Sequence, residues 1–246
     1  MKTNKTFDSI ILNLEESIKD DIYNFLNRRK WYDEMGVSYK RGYLLHGNPG
    51  TGKTSVILAI ANLAKYDIYQ MDLSKFNSIN DLDEAFEKLP SDCCVVLEDI
   101  DCMISSVNSR SGIDKGDKES ENKKSKTKEY IPLNAILNYL DGVYNNDGRI
   151  YILTTNYIER LDKALIRPGR MDRTFHLTNC THVQIINLFK FYYKDLSEHL
   201  LASFNIELKQ HKENLISPSF VVSIFQQYLD DPIQAKKKLL TKIPKS

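Results

Sequence analysis

Residues 47–54 read Gly47-Asn48-Pro49-Gly50-Thr51-Gly52-Lys53-Thr54, a GxxxxGK[ST] string whose chemistry sets the fold class. Gly47, Gly50 and Gly52 let the backbone bend closely enough for successive N–H groups to cradle phosphates, and the helix that follows turns its positive end to the same anion. Lys53 reaches the outer phosphates as a point charge, and Thr54 offers a hydroxyl to Mg²⁺. With Asn48, Pro49, Thr51 and Ser55 they make the candidate nucleotide-binding set. The flanks agree with this reading. Residues 42–46, Gly-Tyr-Leu-Leu-His, read as a short buried strand, and 55–65 is apolar nearly all round, as a helix packed into an α/β core is. A Gly-Pro turn ahead of an unrelated helix would require neither flank. The expectation is a nucleoside triphosphatase.

Working outward, further strands are expected at 67–71, 94–98, 150–154 and 174–177, with helices between them. Leu14, Ile18, Ile22, Phe25 and Leu26 recur at helical spacing, which predicts one amphipathic helix over 14–30 that leads through Trp31 and Tyr32 to the first strand. Pro132 stands at the head of another helix, with Leu133, Ile136, Leu137 and Leu140 as its inward stripe and Gly142 at its end. Such alternation means a mainly parallel sheet with helices on both faces and ligand outside the carboxyl ends of the strands. After about residue 178 the strand signal stops. Helical patterns at 182–196, 217–229 and 232–241 predict a small all-helical lid, so the chain divides into an α/β domain over 1–178 and a lid over 179–246. Within the first, 105–129 is a polar insert that cannot bury enough apolar surface to order itself. It reads either as a solvated excursion or as a substrate-touching loop at the centre of an assembly.

Lys and Arg total 34 against 33 acids, which gives no hint of a nucleic-acid partner, and 41% hydrophobic content suffices for a proper core. Cys93, Cys94, Cys102 and Cys180 contain no CxxC pair, and no histidines stand at zinc spacing. They read as reduced core thiols. Neither a signal core nor a run of about 18 apolar residues is present. The expectation is a soluble, intracellular chain, cytoplasmic by default.

A second cluster lies where the apolar run Cys93-Cys94-Val95-Val96-Leu97 meets Glu98-Asp99-Ile100-Asp101. Carboxylates at the carboxyl end of a strand beside a phosphate loop suit two tasks, holding Mg²⁺ through water and polarising the attacking water. Later, Thr154-Thr155-Asn156 ends another apolar strand, and 161–172 reads Leu-Asp-Lys-Ala-Leu-Ile-Arg-Pro-Gly-Arg-Met-Asp.

With these motifs the chain resembles the AAA ATPase family from about residue 7 to its end. More specifically, it is similar to the mitochondrial AAA chaperones that translocate the Rieske iron–sulfur subunit. The features that carry this are Lys30-Trp31-Tyr32 before Arg41-Gly42-Tyr43-Leu44-Leu45, the acid order Glu98-Asp99-Ile100-Asp101, Leu137-Asn138-Tyr139-Leu140-Asp141-Gly142, and Ile216-Ser217-Pro218 with Asp231-Pro232. The resemblance implies ATP and Mg²⁺ as ligands, Asn156 as the polar sensor that orients the lytic water, and Arg167 and Arg170 as fingers reaching the γ-phosphate of a neighbouring subunit. Fingers in trans demand a ring. It also implies a protein client remodelled or chaperoned at the cost of ATP, with a nucleotide-switched scaffold of little turnover as the alternative.

The chain departs from the wider family in ways that bear on roles. Most members place Asp before Glu at the acidic pair, whereas Glu98 precedes Asp99 here, as in the Rieske-translocating branch. Asp99 is then expected to polarise water with a side chain about 1.5 Å shorter, and Glu98 to stand on the Mg²⁺ side with Thr54. Asn48 replaces a frequent proline at a position that contributes mainly backbone. No arginine occurs from Thr174 to Ser246, so the lid lacks the sensor arginine of clamp loaders and initiators, which further disfavours nucleic acid. Where protein-threading rings carry an aromatic, an apolar residue and glycine, this chain has Phe76-Asn77-Ser78, and Phe76 is expected in the core. The Rieske-translocating relatives carry a membrane helix and a dedicated domain ahead of the ATPase module. The sequence shows neither, so transport across a membrane is not expected of this chain alone.

Overall fold

Apolar residues of high β propensity form the central strands of a sheet. The computed structural model describes residues 4–11, 14–101, 133–141 and 147–245. Cys102, the insert at 105–129, Pro132 and Gly142 lie outside the described residues. Strands β1 (Lys40–His46), β2 (Asp67–Gln70), β3 (Cys93–Leu97), β4 (Arg149–Thr155) and β5 (Arg173–His176) make one five-stranded sheet in the order β2-β3-β4-β1-β5. β3 pairs in parallel with β2, Tyr69 opposite Val95, and with β4, Val95 opposite Tyr151. Every residue of β3 and β4 is buried, which is why they read as continuous apolar runs rather than alternating ones. The expected α/β fold with a helical C-terminal part is present.

The described chain falls into two compact units that do not follow chain order. One gathers Arg28–Leu45 and Tyr66–Thr174, and the other gathers Met1–Asn27, His46–Lys65 and Phe175–Ser246. The first unit holds nearly all of the sheet, with helices α2 (Arg29–Met35), α4 (Ile79–Glu87) and α5 (Leu133–Asp141). Its core joins Leu44 of β1, Val95 and Leu97 of β3, and Tyr151 and Leu153 of β4 to Leu82 and Phe86 of α4 and Ile136, Leu137 and Leu140 of α5. Phe86 stacks on Tyr139 with ring centroids 3.9 Å apart, and Phe76 packs against this cluster, as the sequence led us to expect. Ser78 starts α4 by accepting the Asp81 amide proton, satisfying a donor the first turn otherwise leaves unpaired.

The second unit is helical. It contains α1 (Glu15–Leu26), α3 (Lys53–Ala64), α6 (His182–Tyr192), α7 (Glu198–Leu208), α8 (Pro218–Gln227) and α9 (Pro232–Leu240). Fully buried Phe189 meets Phe204, Tyr193 and Phe225 at centroid distances of 4.8, 4.9 and 5.5 Å, edge-on or tilted as aromatic quadrupoles prefer. Lys236 enters this core with its charge accounted for, donating to Ser203 Oγ at 2.9 Å and Glu207 Oε1 at 2.7 Å. Thr181, Ser197, Ser217 and Asp231 cap the last four helices, each accepting from a backbone amide three residues on.

Two elements differ from the sequence reading. The single helix expected over 14–30 is two: α1 ends at Leu26 with Asn27 as its cap, and Trp31 and Tyr32 sit within α2 rather than in a lead-in to β1. The buried stripe Ile18, Ile22 and Phe25 ends there, and Asn27 and Arg28 fall on either side of the boundary between the units. Helix α7 is the other difference. Its Leu200, Leu201, Phe204 and Leu208 follow a Ser-Glu start at helical spacing and could have been read from sequence. Among the described residues, no helix is long and apolar enough to cross a membrane.

Burial decides the chemistry of the described cysteines. Cys93, Cys94 and Cys180 are free and buried, and desolvation pushes the thiols of Cys93 to about 11 and Cys180 to about 12, with Cys94 also raised. All three are therefore expected to resist iodoacetamide at pH 8 in the native protein and to label after denaturation, as read by peptide mass. Labelling at the rate of a free thiol would contradict this packing.

Candidate functional site

The phosphate loop connects β1 to α3, and the glycines at 47, 50 and 52 adopt φ of +142°, +80° and +101°. Such angles strain any side chain. Gly50 is constrained by space as well, since a Cβ there would lie 2.4 Å from Ser219 Oγ. Thr51 is fully buried, and its hydroxyl donates to the Asn48 carbonyl at 2.8 Å. Lys53 Nζ donates to the carbonyls of Gly47 at 2.7 Å and Asn48 at 3.2 Å. The ammonium is thus held over the loop by the loop's own backbone. Gly52, the N-cap, brings no side chain to compete for the first-turn amides of α3, which keeps a helix N-terminus suited to an anion. The N-terminal end of α8 also touches the loop, with the Ser219 amide donating to the Gly50 carbonyl at 3.1 Å. The helical pattern expected over 217–229 begins here, but nothing local places it against Gly50.

Glu98, Asp99 and Asn156 lie in the other unit. Glu98 and Asp99 follow the last residue of β3, and Glu98 accepts from Gln70 Nε2 at 2.9 Å. Asp99 lies at φ +48°, a left-handed conformation that Asp tolerates better than most residues, and its amide donates to Thr154 Oγ1 at 2.9 Å. Asn156 Nδ2 donates to Asp99 Oδ1 at 3.2 Å. Beside this pair Asp101, whose residue type alone gives it no distinct role, is buried and accepts from Thr155 Oγ1 at 2.7 Å and from the Asn156 amide at 3.4 Å. Three polar residues at the end of β4 are thereby locked to the acids that end β3.

The arginine loop is built separately in the same unit. Arg170 forks onto both oxygens of Asp141, at the end of α5, and donates to the Ala164 carbonyl at 2.5 Å. Its hydrogen bond holds the Asp141 carboxyl below the usual carboxylate range, so this pair persists down to acid pH and is lost only as pH falls through that depressed value. Arg167 is exposed. The structure therefore brings Asp99 and Asn156 together, places Arg170 on Asp141 and leaves Arg167 at the surface.

A model of the ATPase family associated with various cellular activities (AAA) matches residues 43–179, a span from β1 through the phosphate loop, the acids and the arginine loop. The chain belongs to the AAA family. It is 38% identical over 214 residues to a mitochondrial AAA-ATPase of Arabidopsis thaliana, covering 84% of this chain and 46% of that protein. It is 34% identical over 235 residues to the human mitochondrial chaperone BCS1, covering 94% of this chain and 54% of that protein. A third relative, the Arabidopsis protein HYPER-SENSITIVITY-RELATED 4, is 36% identical over 202 residues, 80% of this chain and 34% of that protein. This AAA chain thus spans about half, or less, of the length of these relatives.

Lys53→Ala removes the loop's lysine cation. Calorimetry should then find ATP binding lost, because the backbone cradle alone does not neutralise the outer phosphates. Unchanged affinity would remove the loop from the site.

Proposed function

We propose that the chain binds ATP with Mg²⁺ on residues 47–55 and hydrolyses it, and that turnover in a ring of copies drives remodelling or chaperoning of a protein client. The observation that carries this reading is the Asp99–Asn156 pair. A scaffold that only bound nucleotide would have no use for a carboxylate aimed by a neighbouring amide at the end of the central strands. β1, β3 and β4 belong to one sheet, and each carries its candidate residues at or just past its last residue, which is where ligands of open α/β sheets bind. Family membership supports ATP as the nucleotide. The chaperone role named for the human relative supports a protein client.

In this reading Lys53 exchanges the Gly47 and Asn48 carbonyls for phosphate oxygens, and the loop and first-turn amides fix the rest of the chain of phosphates. Thr54 and Glu98 offer one hydroxyl and one carboxylate, the hard oxygen donors that suit an ion otherwise held by water and phosphate, and would hold Mg²⁺, which neutralises charge on the phosphoryl oxygens. Asp99 takes a proton from the attacking water, and Asn156 keeps the carboxylate and the water aligned. Arg167 reaches the γ-phosphate bound by a neighbouring subunit. Residues 1–178 act as the nucleotide-binding part and 179–246 as the lid.

Two experiments separate the parts of this proposal. Asp99→Asn keeps size and loses charge, so ATP should still bind while turnover falls by about 10² or more. If Glu98→Gln instead spared binding and stopped hydrolysis while Asp99→Asn stayed active, the two acids would exchange roles.

Arg167→Ala should bind ATP normally, lose on the order of 10³ in turnover, and recover part of it when mixed with Lys53→Ala, whose dead pocket still presents a sound Arg167. Absence of recovery despite proven subunit exchange would defeat the ring mechanism. ATP binding with negligible wild-type turnover at every protein concentration would favour the scaffold.

A further inference from the structure

The loop carrying Arg167 is fixed from three sides, all within one unit. Asp172 is the first anchor, its carboxylate accepting the amides of Gly42 at 2.9 Å and Gly169 at 3.1 Å, while its own amide donates to the Gly42 carbonyl at 2.8 Å. The second is steric. A Cβ on Gly42 would lie 1.8 Å from the Arg170 carbonyl oxygen, so the loop rests directly on the backbone of β1. The third is the fork from Arg170 to Asp141, backed by the bond to Ala164. Between these anchors, the amides of Arg170 and Met171 close a turn on the Arg167 carbonyl at 3.0 and 3.1 Å.

The two arginines are therefore in different situations. The Arg170 side chain is only 13% exposed and occupied within its own chain, whereas Arg167 is exposed. To reach a neighbour's phosphate, Arg170 would have to break a bidentate charge-assisted pair and leave Asp141 with only the more distant charges of Lys40 and Arg167. Arg167 has no such cost.

We propose that Asp141 and Arg170 are positioning residues: their ion pair ties the end of α5 to the arginine loop and holds Arg167 in the geometry it offers to the next subunit, while Arg170 itself stays in cis. This rests on the finger role proposed above for Arg167. The pair also gives α5, which follows the polar insert in sequence, a direct mechanical hold on the finger. Movement of α5 would pull on Arg170 and so on the turn that Arg167 opens.

The test is a double-mutant cycle on the full chain, read as kcat and KM for ATP at protein concentrations that support turnover. Because misplacing a group by about 1 Å costs up to about 10²-fold, Asp141→Asn should lower kcat by roughly 10- to 100-fold with KM nearly unchanged. The double variant Asp141→Asn/Arg167→Ala should be no slower than Arg167→Ala alone, because Asp141 acts only through Arg167. Asp141→Asn should also regain turnover when mixed with Lys53→Ala, since its own pocket is intact. A structural defect would lower activity in both backgrounds and would not be complemented. Should Asp141→Asn fail to fold, Arg170→Lys, which keeps the cation and loses the fork, takes its place in the same cycle. Wild-type or faster turnover in Asp141→Asn, with Arg167→Ala inactive, would overturn the positioning role and return Arg170 to the candidate fingers. Additive losses in the double variant would do the same. Full activity in Arg167→Ala would instead remove the finger reading and this inference with it.

Discussion

The hydrogen bonds from Lys53 to the carbonyls of Gly47 and Asn48 fix a cation over a loop of left-handed glycines, and the surrounding structure is organised by that constraint. A backbone bent this sharply exposes amides that must find an anion or water, so it must be held in shape by its flanks. Buried Thr51 closes the loop from within, and α8 closes it from outside through Ser219 and Gly50. The apolar helix α3 anchors its far end.

The acidic end of β3 meets the opposite requirement. Carboxylates at a strand end can stay accessible and still be aimed. Here the aiming is done by hydroxyl and amide groups at the end of β4, supported by the buried carboxylate of Asp101. Asp101 is dry and hydrogen-bonded, whereas Asp99 is exposed and held in a left-handed conformation. Neighbouring acids in sequence thus do different work: one builds the support, and the other faces solvent where chemistry is possible. A buried carboxylate with two donors is a stable framework element, and an exposed one at an unusual φ carries strain that only a fixed surrounding can sustain.

The arginine loop follows the same division between a supporting charge and a presented one. Asp172, Gly42 and the Arg170–Asp141 fork fix the backbone, leaving Arg167 as the exposed cation. Two arginines that look equivalent in sequence differ in that Arg170 forks onto Asp141, whereas Arg167 acts on that carboxylate through its charge alone.

The sequence alone determined whatever depends on local periodicity and on residue type at fixed spacing. The phosphate loop, the strand ends that carry Glu98, Asp99 and Asn156, and the order of α and β elements were legible because glycine angles, apolar runs and caps act over a few residues. Helix α7 obeys the same rules, with its Ser197 cap and apolar residues at helical spacing. Tertiary structure decided what depends on distance through space. The break between α1 and α2 comes where the chain passes from one compact unit to the other, and no local signal marks that passage. The support of Asn156 by Asp101, the contact of Ser219 with Gly50, and the pairing of Arg170 with Asp141 join residues far apart in sequence. Only packing brings those pairs within hydrogen-bonding range, so residue identity could show that each was capable of a partner but not which partner it would meet.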